Sequence, residues 1–177
     1  MNIIFTIYTE GDPLDTFISD HEPVIRLGAF FGVFLLMAAW EWRAPCRQPS
    51  TAKGLRWANN LALVFLNTVL VRAMLPVTAA GVAAWSEQHQ WGLVHWLGLP
   101  DALAVVLSMV VLDWVIWVQH RMVHVVPALW RLHRVHHADL DYDVTTGARF
   151  HPLEILLSML IKFAAVAVLG APAVAVV

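Results

Sequence analysis

The chain has 177 residues, of which 59% are hydrophobic and only 14% are charged, and its formal net charge is −2. Soluble domains carry about 25% charged residues, so this composition excludes an ordinary soluble domain and indicates a membrane protein. The slightly negative charge and the lack of a basic patch argue against nucleic-acid binding. The single cysteine, Cys46, cannot form an internal disulfide.

Four apolar runs follow one another along the chain and predict membrane-spanning helices, because a span needs roughly 20 mostly apolar residues. The runs are 24–42, 59–84, 102–118 and 153–169. Continuous runs favour helices over the alternating strands of a β-barrel. After the fourth run, Gly170 and Pro172 predict a helix stop and restart, which places Val177 in the first turn of a fifth apolar helix.

The second run contains two residues that are unusual in a spanning helix. Arg72 lies near its centre, where an unpaired charge costs at least ~2.5 kcal/mol. Pro76 follows four residues later and is expected to kink the helix, because proline removes a backbone hydrogen bond. Asp113 in the third run is a candidate partner for the arginine.

Basic residues predict the orientation of the chain in the membrane. The segment between the first two runs carries four, the segment between the second and third carries none, and four more follow the third run. By the positive-inside rule the first and last of these segments are cytoplasmic, and the acidic N-terminus is outside. Two groups of aromatic residues are interpreted as interfacial anchors. These are Trp85, Trp91 and Trp96 with His89 and His95 in the outer loop, and Trp114, Trp117 and Trp130 around the remaining histidines. The alternative for the second group is that it lines a pocket for a lipid tail.

Six of the nine histidines lie between His120 and His151. Positions i, i+3 and i+4 of an α-helix share one face. His120 and His124 therefore project together, and so do His133, His136 and His137. Imidazole binds iron, zinc, copper and nickel. Adjacent charged imidazoles would repel each other, whereas metal binding holds each ring neutral, so the pattern predicts a metal site.

Features that the histidine pattern lacks argue against three common kinds of metal site. A zinc protease needs Glu directly after the first histidine, where this chain has Arg121. Structural zinc sites usually use cysteine and close at four ligands. Bis-histidine haem would need rings that face each other from two spans, whereas these cluster at one surface. A histidine-rich site with open positions favours a dinuclear non-haem iron centre that activates oxygen.

Carboxylates near the histidines have two interpretations. Asp113 precedes His120 by two helical turns, and Glu154 follows His151 by about one turn. Each carboxylate either hydrogen-bonds a ligand imidazole and orients it, or forms a polar contact between helices that is unrelated to metal. Three further carboxylates are interpreted as a solvated loop without ligands, namely Asp139, Asp141 and Asp143.

Three segments in this order resemble the fatty acid hydroxylase / sterol desaturase superfamily. They are His120-Arg-Met-Val-His124, then His133-Arg-Val-His136-His137, then Arg149-Phe150-His151-Pro152-Leu153-Glu154. Arg56-Trp57-Ala-Asn-Asn60 is also similar to bacterial members, so the resemblance covers roughly 56–170. It implies an all-α integral-membrane helical bundle with a cytoplasmic histidine-rich site for two iron ions. The implied ligands are His120, His124, His133, His136 and His137, with His151 as a ligand or as support for one.

The resemblance also implies a function. Members use O2 and reducing equivalents to hydroxylate or desaturate an unactivated C–H bond of a lipid such as a sterol or fatty acyl chain. The implied partners are a lipid from the bilayer, O2, and a reductase or carrier protein that donates electrons. The implied location is a multi-pass protein of a membrane, with a bacterial inner membrane favoured.

The predicted organisation has three parts. Residues 1–23 form an extracytoplasmic segment, 24–100 hold the first two spans and the outer loop, and 101–177 begin the catalytic domain. The family carries another H-x2-H-H box after a further membrane hairpin, and the chain stops at Val177 before it. We therefore expect an N-terminal portion of a longer enzyme. The alternative is a truncated, catalytically inactive membrane metal-binding protein.

Overall fold

A computed structural model describes residues 13–48 and 50–176, and for 13–20, 22, 23 and 26 it describes only the backbone. All regular secondary structure in these residues is helical, without a strand, and the predicted all-α class is confirmed. The chain divides into two units, Met1–Gln48 and Pro49–Val177. The first contains α1, Pro13–Arg43, which includes the first apolar run. Phe30, Leu35 and Leu36 of this run are exposed, and its role as a span stays a prediction.

The second unit contains the remaining helices. They are α2 (Lys53–Met74), α3 (Ala79–Gln88), α4 (Leu93–Trp96), α5 (Asp101–Val125), α6 (Pro127–His137), a 3-10 turn (Thr146–Ala148), α7 (Pro152–Leu169) and α8 (Ala173–Val176). Three stretches of the described chain are long and apolar enough to cross a membrane: Lys53–Trp96, which comprises α2 to α4, and then α5 and α7. The prediction of a helical membrane protein is confirmed.

The second apolar run is not one kinked helix, so that prediction was wrong. Helix α2 ends at Met74, and α3 begins only at Ala79. Pro76 has no N–H to continue the helix, and it forces the preceding residue out of the helical region. Leu75 accordingly has φ −123° and ψ 85°. Thr78 then restarts the helix, because its hydroxyl accepts a hydrogen bond from the N–H of Gly81 at 3.0 Å.

Helix α7 lies at the centre of this unit and contacts α2, α3, α4, α5 and α6. Its far half packs in an apolar core of small and medium residues, namely Ala83, Leu112, Val166, Leu169 and Ala171. The outer surface is also apolar: Val110, Trp114 and Trp117 are each more than 60% exposed. Buried polar side chains instead gather near the start of α7. A lipid-facing apolar surface around a polar interior is the arrangement expected in a membrane.

The far end of α7 is closed by a contact between two glycines. Gly170 ends the helix with φ +65°, and its N–H donates to the carbonyl of Val166 at 2.9 Å. Gly92, with φ +108°, lies directly against it, and a Cβ on either residue would collide with the backbone of the other segment. The predicted stop at Gly170 is confirmed, as is the restart, because α8 begins at Ala173.

Candidate metal centre

Two consecutive helices carry the clustered histidines. His120 and His124 occupy the last turns of α5, and α6 carries the other three. Between the helices, Val126 is extended (φ −85°, ψ 117°) because it precedes Pro127. Pro127 then opens α6, where its missing N–H costs no helical hydrogen bond. This single break lets α6 pack against the end of α5.

The five predicted ligand rings come together, and we call them the histidine cluster: His120, His124, His133, His136 and His137. The Nε2 atom of His124 lies 3.2 Å from the Nε2 atoms of both His120 and His133. The ring centroid of His137 lies 5.0 Å from those of His124 and His133. His136 adjoins His137 at a centroid distance of 5.0 Å. His133 is fully buried at the centre of the cluster.

The spacing of the ring nitrogens fits a shared metal ion. Two nitrogens that each bind one ion at about 2.1 Å lie about 3.0–3.4 Å apart for bond angles of about 90–109°. The two 3.2 Å contacts of His124 fall in this interval. All three candidate ligand atoms of His120, His124 and His133 lie within 4.8 Å of one another. One ion could therefore contact His124 together with either neighbouring ring, and the three ligand atoms form a compact candidate donor group.

A buried carboxylate orients the central ring. Nδ1 of His133 lies 2.6 Å from Oε1 of Glu154, in the first turn of α7. Because a carboxylate only accepts, Nδ1–H donates, and the lone pair of the ring is left on Nε2, toward the other histidines. The second carboxylate oxygen of Glu154 is buried without a hydrogen-bond partner among the described residues. Glu154 thus contacts a ring of the cluster, but that ring is His133 and not the nearby His151.

We expect Glu154→Gln to weaken metal binding about 10–100-fold, because a neutral amide supports the imidazole less than a carboxylate does. Iron affinity of the purified protein, measured by competition with a chelator, would check this. Glu87→Gln is the matched control, since Glu87 is an exposed carboxylate on α3. Equal iron affinity in Glu154→Gln and wild type would contradict the role of Glu154.

The rings on α6 are held in their neutral form. Burial, together with repulsion from the neighbouring histidines, lowers the pKa of His133 to about 4. Burial also lowers the pKa of His136 and of His137. Nδ1 of His136 donates to the carbonyl of Arg149 at 3.3 Å, which leaves its Nε2 unprotonated. Neutral imidazole is the form that binds metal.

His151 and Asp113 are placed differently from the histidine cluster. Nδ1 of His151 accepts a hydrogen bond from the N–H of Leu153 at 3.1 Å and so caps α7. In a neutral ring this leaves the proton on Nε2, which favours hydrogen-bond donation over metal binding. Asp113 is exposed, and among the described residues it forms no hydrogen bond to a histidine. The metal-site roles of both residues stay predictions.

The acidic loop after α6 is not solvated, so that interpretation was wrong. Asp141 and Asp143 are buried. Arg56 of α2 pairs with Asp139 at 2.7 Å and with Asp143 at 3.0 Å. Burial alone would raise the pKa of Asp139, but hydrogen bonds from Thr146, Arg56 and Asn60 lower it to about 2. Asp141 accepts hydrogen bonds from the backbone N–H groups of Ser50 and Thr51 at 2.9 and 3.0 Å.

These ion pairs and hydrogen bonds join α6 and the acidic loop after it to α2. The side-chain oxygen of Asn60 accepts a hydrogen bond from Arg149 at 3.0 Å. Arg149 also donates to the carbonyl of Val135, within α6, at 2.8 Å. Arg56, Asn60 and Arg149 belong to the segments that resemble the family, and the sequence alone assigns them no place in this network. The only signal for them in the sequence was the resemblance of the segments 56–60 and 149–154 to the family.

Aromatic rings cover two sides of the histidine cluster. Trp130 lies 5.5 Å from both His124 and His137 between ring centroids, so its interpretation as a simple membrane anchor was incomplete. Phe150 stacks on His136 at 4.7 Å with an interplanar angle of 3°. Trp114 and Trp117 are exposed, as an anchoring role requires. His89 stacks instead on Trp85 at 4.6 Å, and no ring contact in the described residues joins it to the cluster.

The helices and the cluster define a membrane protein with a candidate multi-histidine metal centre. Residues 105–177 match the family model of fatty acid hydroxylase. Over 99 residues the chain is 31% identical to the ornithine lipid hydroxylase OlsE of Rhizobium tropici, a match that covers 56% of this chain and 29% of that protein. No solved structure matches the chain. These matches support the fatty acid hydroxylase superfamily, and the resemblance drawn from the histidine motifs is confirmed.

Proposed function

We propose that the chain forms part of a membrane-bound di-iron oxygenase that hydroxylates an unactivated C–H bond of a lipid. The observation that carries this proposal is the convergence of the ring nitrogens of His120, His124 and His133 within a segment that matches fatty acid hydroxylases. When bound, iron would supply the activation of O2, a chemistry that protein side chains lack. We propose that the ligands of the two irons include the histidine cluster, with His151 as a further ligand or a supporting residue.

The residues around the cluster have distinct tasks in this proposal. Glu154 holds His133 in the tautomer that presents Nε2. The carbonyl of Arg149 does the same for His136. Trp130 and Phe150 place apolar ring surface against His124 and His136. An apolar substrate would reach the site sideways from the bilayer.

Hydroxylation is favoured over desaturation because both the family and the similar Rhizobium protein are named for hydroxylation. The relative acts on an ornithine lipid, and we propose a polar membrane lipid as substrate here. We further propose that the cluster faces the cytoplasm of a bacterial inner membrane. Arg121, Arg131 and Arg134 are exposed beside it, in agreement with the positive-inside rule. A cytoplasmic reductase or carrier would then deliver electrons to this face.

A second candidate is a membrane metal-binding protein without oxygenase activity. The observation that favours it is that the compact donor group has three members, His120, His124 and His133, which suits one ion. The two candidates differ in metal stoichiometry and in oxygen use.

The deciding experiment uses the complete protein that contains this chain, in nanodiscs, loaded with Fe²⁺ and supplied with bilayer lipid, a chemical reductant and ¹⁸O2. We expect about two irons per complete protein and one ¹⁸O atom in a hydroxylated lipid. Anaerobic samples and samples without reductant are the controls. Bound metal without any labelled product would contradict the oxygenase and support the second candidate.

A further inference from the structure

A recess of about 320 Å³ lies between α2 and α7. Its walls are largely apolar and include Val64, Ile155 and Met159. Three polar residues of α2 also line it, namely Asn67, Thr68 and Arg72. Because both helices belong to candidate membrane spans, this recess brings a guanidinium, a carboxamide and a hydroxyl together at membrane depth.

Only one of the two polar atoms of the Asn67 carboxamide has a hydrogen-bond partner among the described residues. Asn67 is buried, with 6% of its surface exposed. Its amide nitrogen donates to the carbonyl of Phe150 at 3.0 Å. This bond fixes the orientation of the group, and its oxygen is buried without a hydrogen-bond partner among the described residues. A buried acceptor left unpaired costs about 1–3 kcal/mol, so the recess presents an acceptor that suits an N–H or O–H of a ligand.

Arg72 adds a positive charge to the same recess. No carboxylate in the described part of the chain lies within ion-pair distance of its guanidinium. Arg72 is an exposed residue in the last turn of α2, inside the stretch Lys53–Trp96 that is apolar enough to cross a membrane. Charged residues in such stretches often mark functional sites. The guanidinium has five N–H donors in a planar fork that matches a carboxylate or a phosphate. The chemistry of the recess is therefore complementary to an anionic group with a neighbouring donor.

The recess is connected to the histidine cluster through Phe150. The ring of Phe150 stacks on His136, while its carbonyl holds Asn67. Ile155, in the wall of the recess, directly follows Glu154, which orients His133. A lipid whose polar group occupies the recess would thus lie beside the cluster, within the length of an acyl chain.

We propose that this recess binds the polar part of an anionic lipid, with Arg72 pairing with its carboxylate or phosphate. Asn67 accepts a hydrogen bond from an N–H or O–H group next to that anion. The inference rests on the proposed function, since it assigns the recess to the substrate of the same centre. It narrows the substrate to lipids that carry an acidic group and excludes neutral sterols and hydrocarbons.

The test measures binding without iron, so its outcome is independent of the oxygenase proposal. The full chain in neutral detergent would be titrated with amphiphiles of equal chain length: an N-acylglycine, the matching O-acyl glycolate, a lysophosphatidic acid and a fatty alcohol. Native mass spectrometry would count the bound molecules. The glycine and glycolate compounds differ only in the N–H offered to Asn67, and the phosphate compound tests the second anion source.

We expect wild type to bind the anionic amphiphiles at least about tenfold more tightly than the alcohol. Arg72→Gln should remove this preference, and Arg72→Lys should keep most of it because the charge is retained. Arg121→Gln is the control for loss of an arginine elsewhere and should bind like wild type. The amide should bind a few-fold more tightly than the ester.

An unchanged anion preference in Arg72→Gln would overturn the inference, as would equal binding of acid and alcohol by wild type. Equal binding of amide and ester would remove Asn67 from the site. These results would leave the oxygenase proposal intact, since that proposal is tested by iron content and ¹⁸O incorporation. Absence of labelled product together with normal anion binding would contradict the oxygenase proposal and leave the proposed binding recess intact.

Discussion

Replacing His124 by alanine is expected to lower lipid hydroxylation by at least about 100-fold and to remove most bound iron. Nε2 of His124 is the atom within 3.2 Å of both His120 and His133, so its loss opens the centre of the donor group. The side chain is exposed, and its removal should leave the fold unchanged. Iron per chain and ¹⁸O-labelled product would be measured on the same nanodisc sample.

His89→Ala is the matched control, because His89 is also an exposed histidine near the membrane but stacks on Trp85. We expect this variant to keep wild-type iron content and turnover. Circular dichroism of both variants would show that the helices are intact. Full turnover by His124→Ala would refute the assignment of the histidine cluster to the reaction.

The second large effect is expected from Arg56→Ala, which should destabilise the protein by about 3–5 kcal/mol. The guanidinium bridges Asp139 and Asp143, and the side chains in these ion pairs are at most 8% exposed. Removing it leaves two buried carboxylates without their cation, and this costs far more than the loss of a surface ion pair. Denaturant or thermal unfolding in nanodiscs would measure the change.

Lys53→Ala serves as the control, because Lys53 lies one turn earlier on α2 and only approaches the ring of Trp57, at 5.3 Å. Its loss should cost about 1 kcal/mol or less. If Arg56→Ala and Lys53→Ala have the same free energy of unfolding, the buried ion pairs contribute little to stability. Double replacement of Arg56 and Asp139 by neutral residues should recover part of the loss.

The histidine cluster could be predicted from the sequence because its geometry is mainly local. Spacings of three and four residues on α5 and α6 determine which rings share a face, and only one break, at Val126 and Pro127, separates the two helices. The apolar runs were similarly readable from composition. The order and spacing of the histidine motifs then carried the resemblance to the fatty acid hydroxylases, which the family match supports.

Contacts between residues distant in sequence could not be predicted. Arg56 and Asp139 are 83 residues apart, so the sequence does not reveal that they pair. Considered alone, a short loop with three aspartates has the composition of a solvated segment. Glu154 contacts His133, 21 residues away, whereas helical spacing pointed to His151. The break after Met74 was also missed, because a proline in an apolar run indicates either a kink or an end, and the tertiary contacts of α3 with α7 decide between them.

The close approach of Gly92 and Gly170 fixes one end of α7, and the tilt of this helix determines where Glu154 lies relative to His133. Glu154 stands sixteen residues from Gly170, a distance of about 24 Å along the helix. A tilt of α7 by about 2° around that contact would displace the carboxylate by about 0.8 Å. Displacements near 1 Å can reduce catalysis about 100-fold. A methyl group added at Gly92 could therefore lower turnover by misdirecting His133, even though it lies at the opposite end of α7.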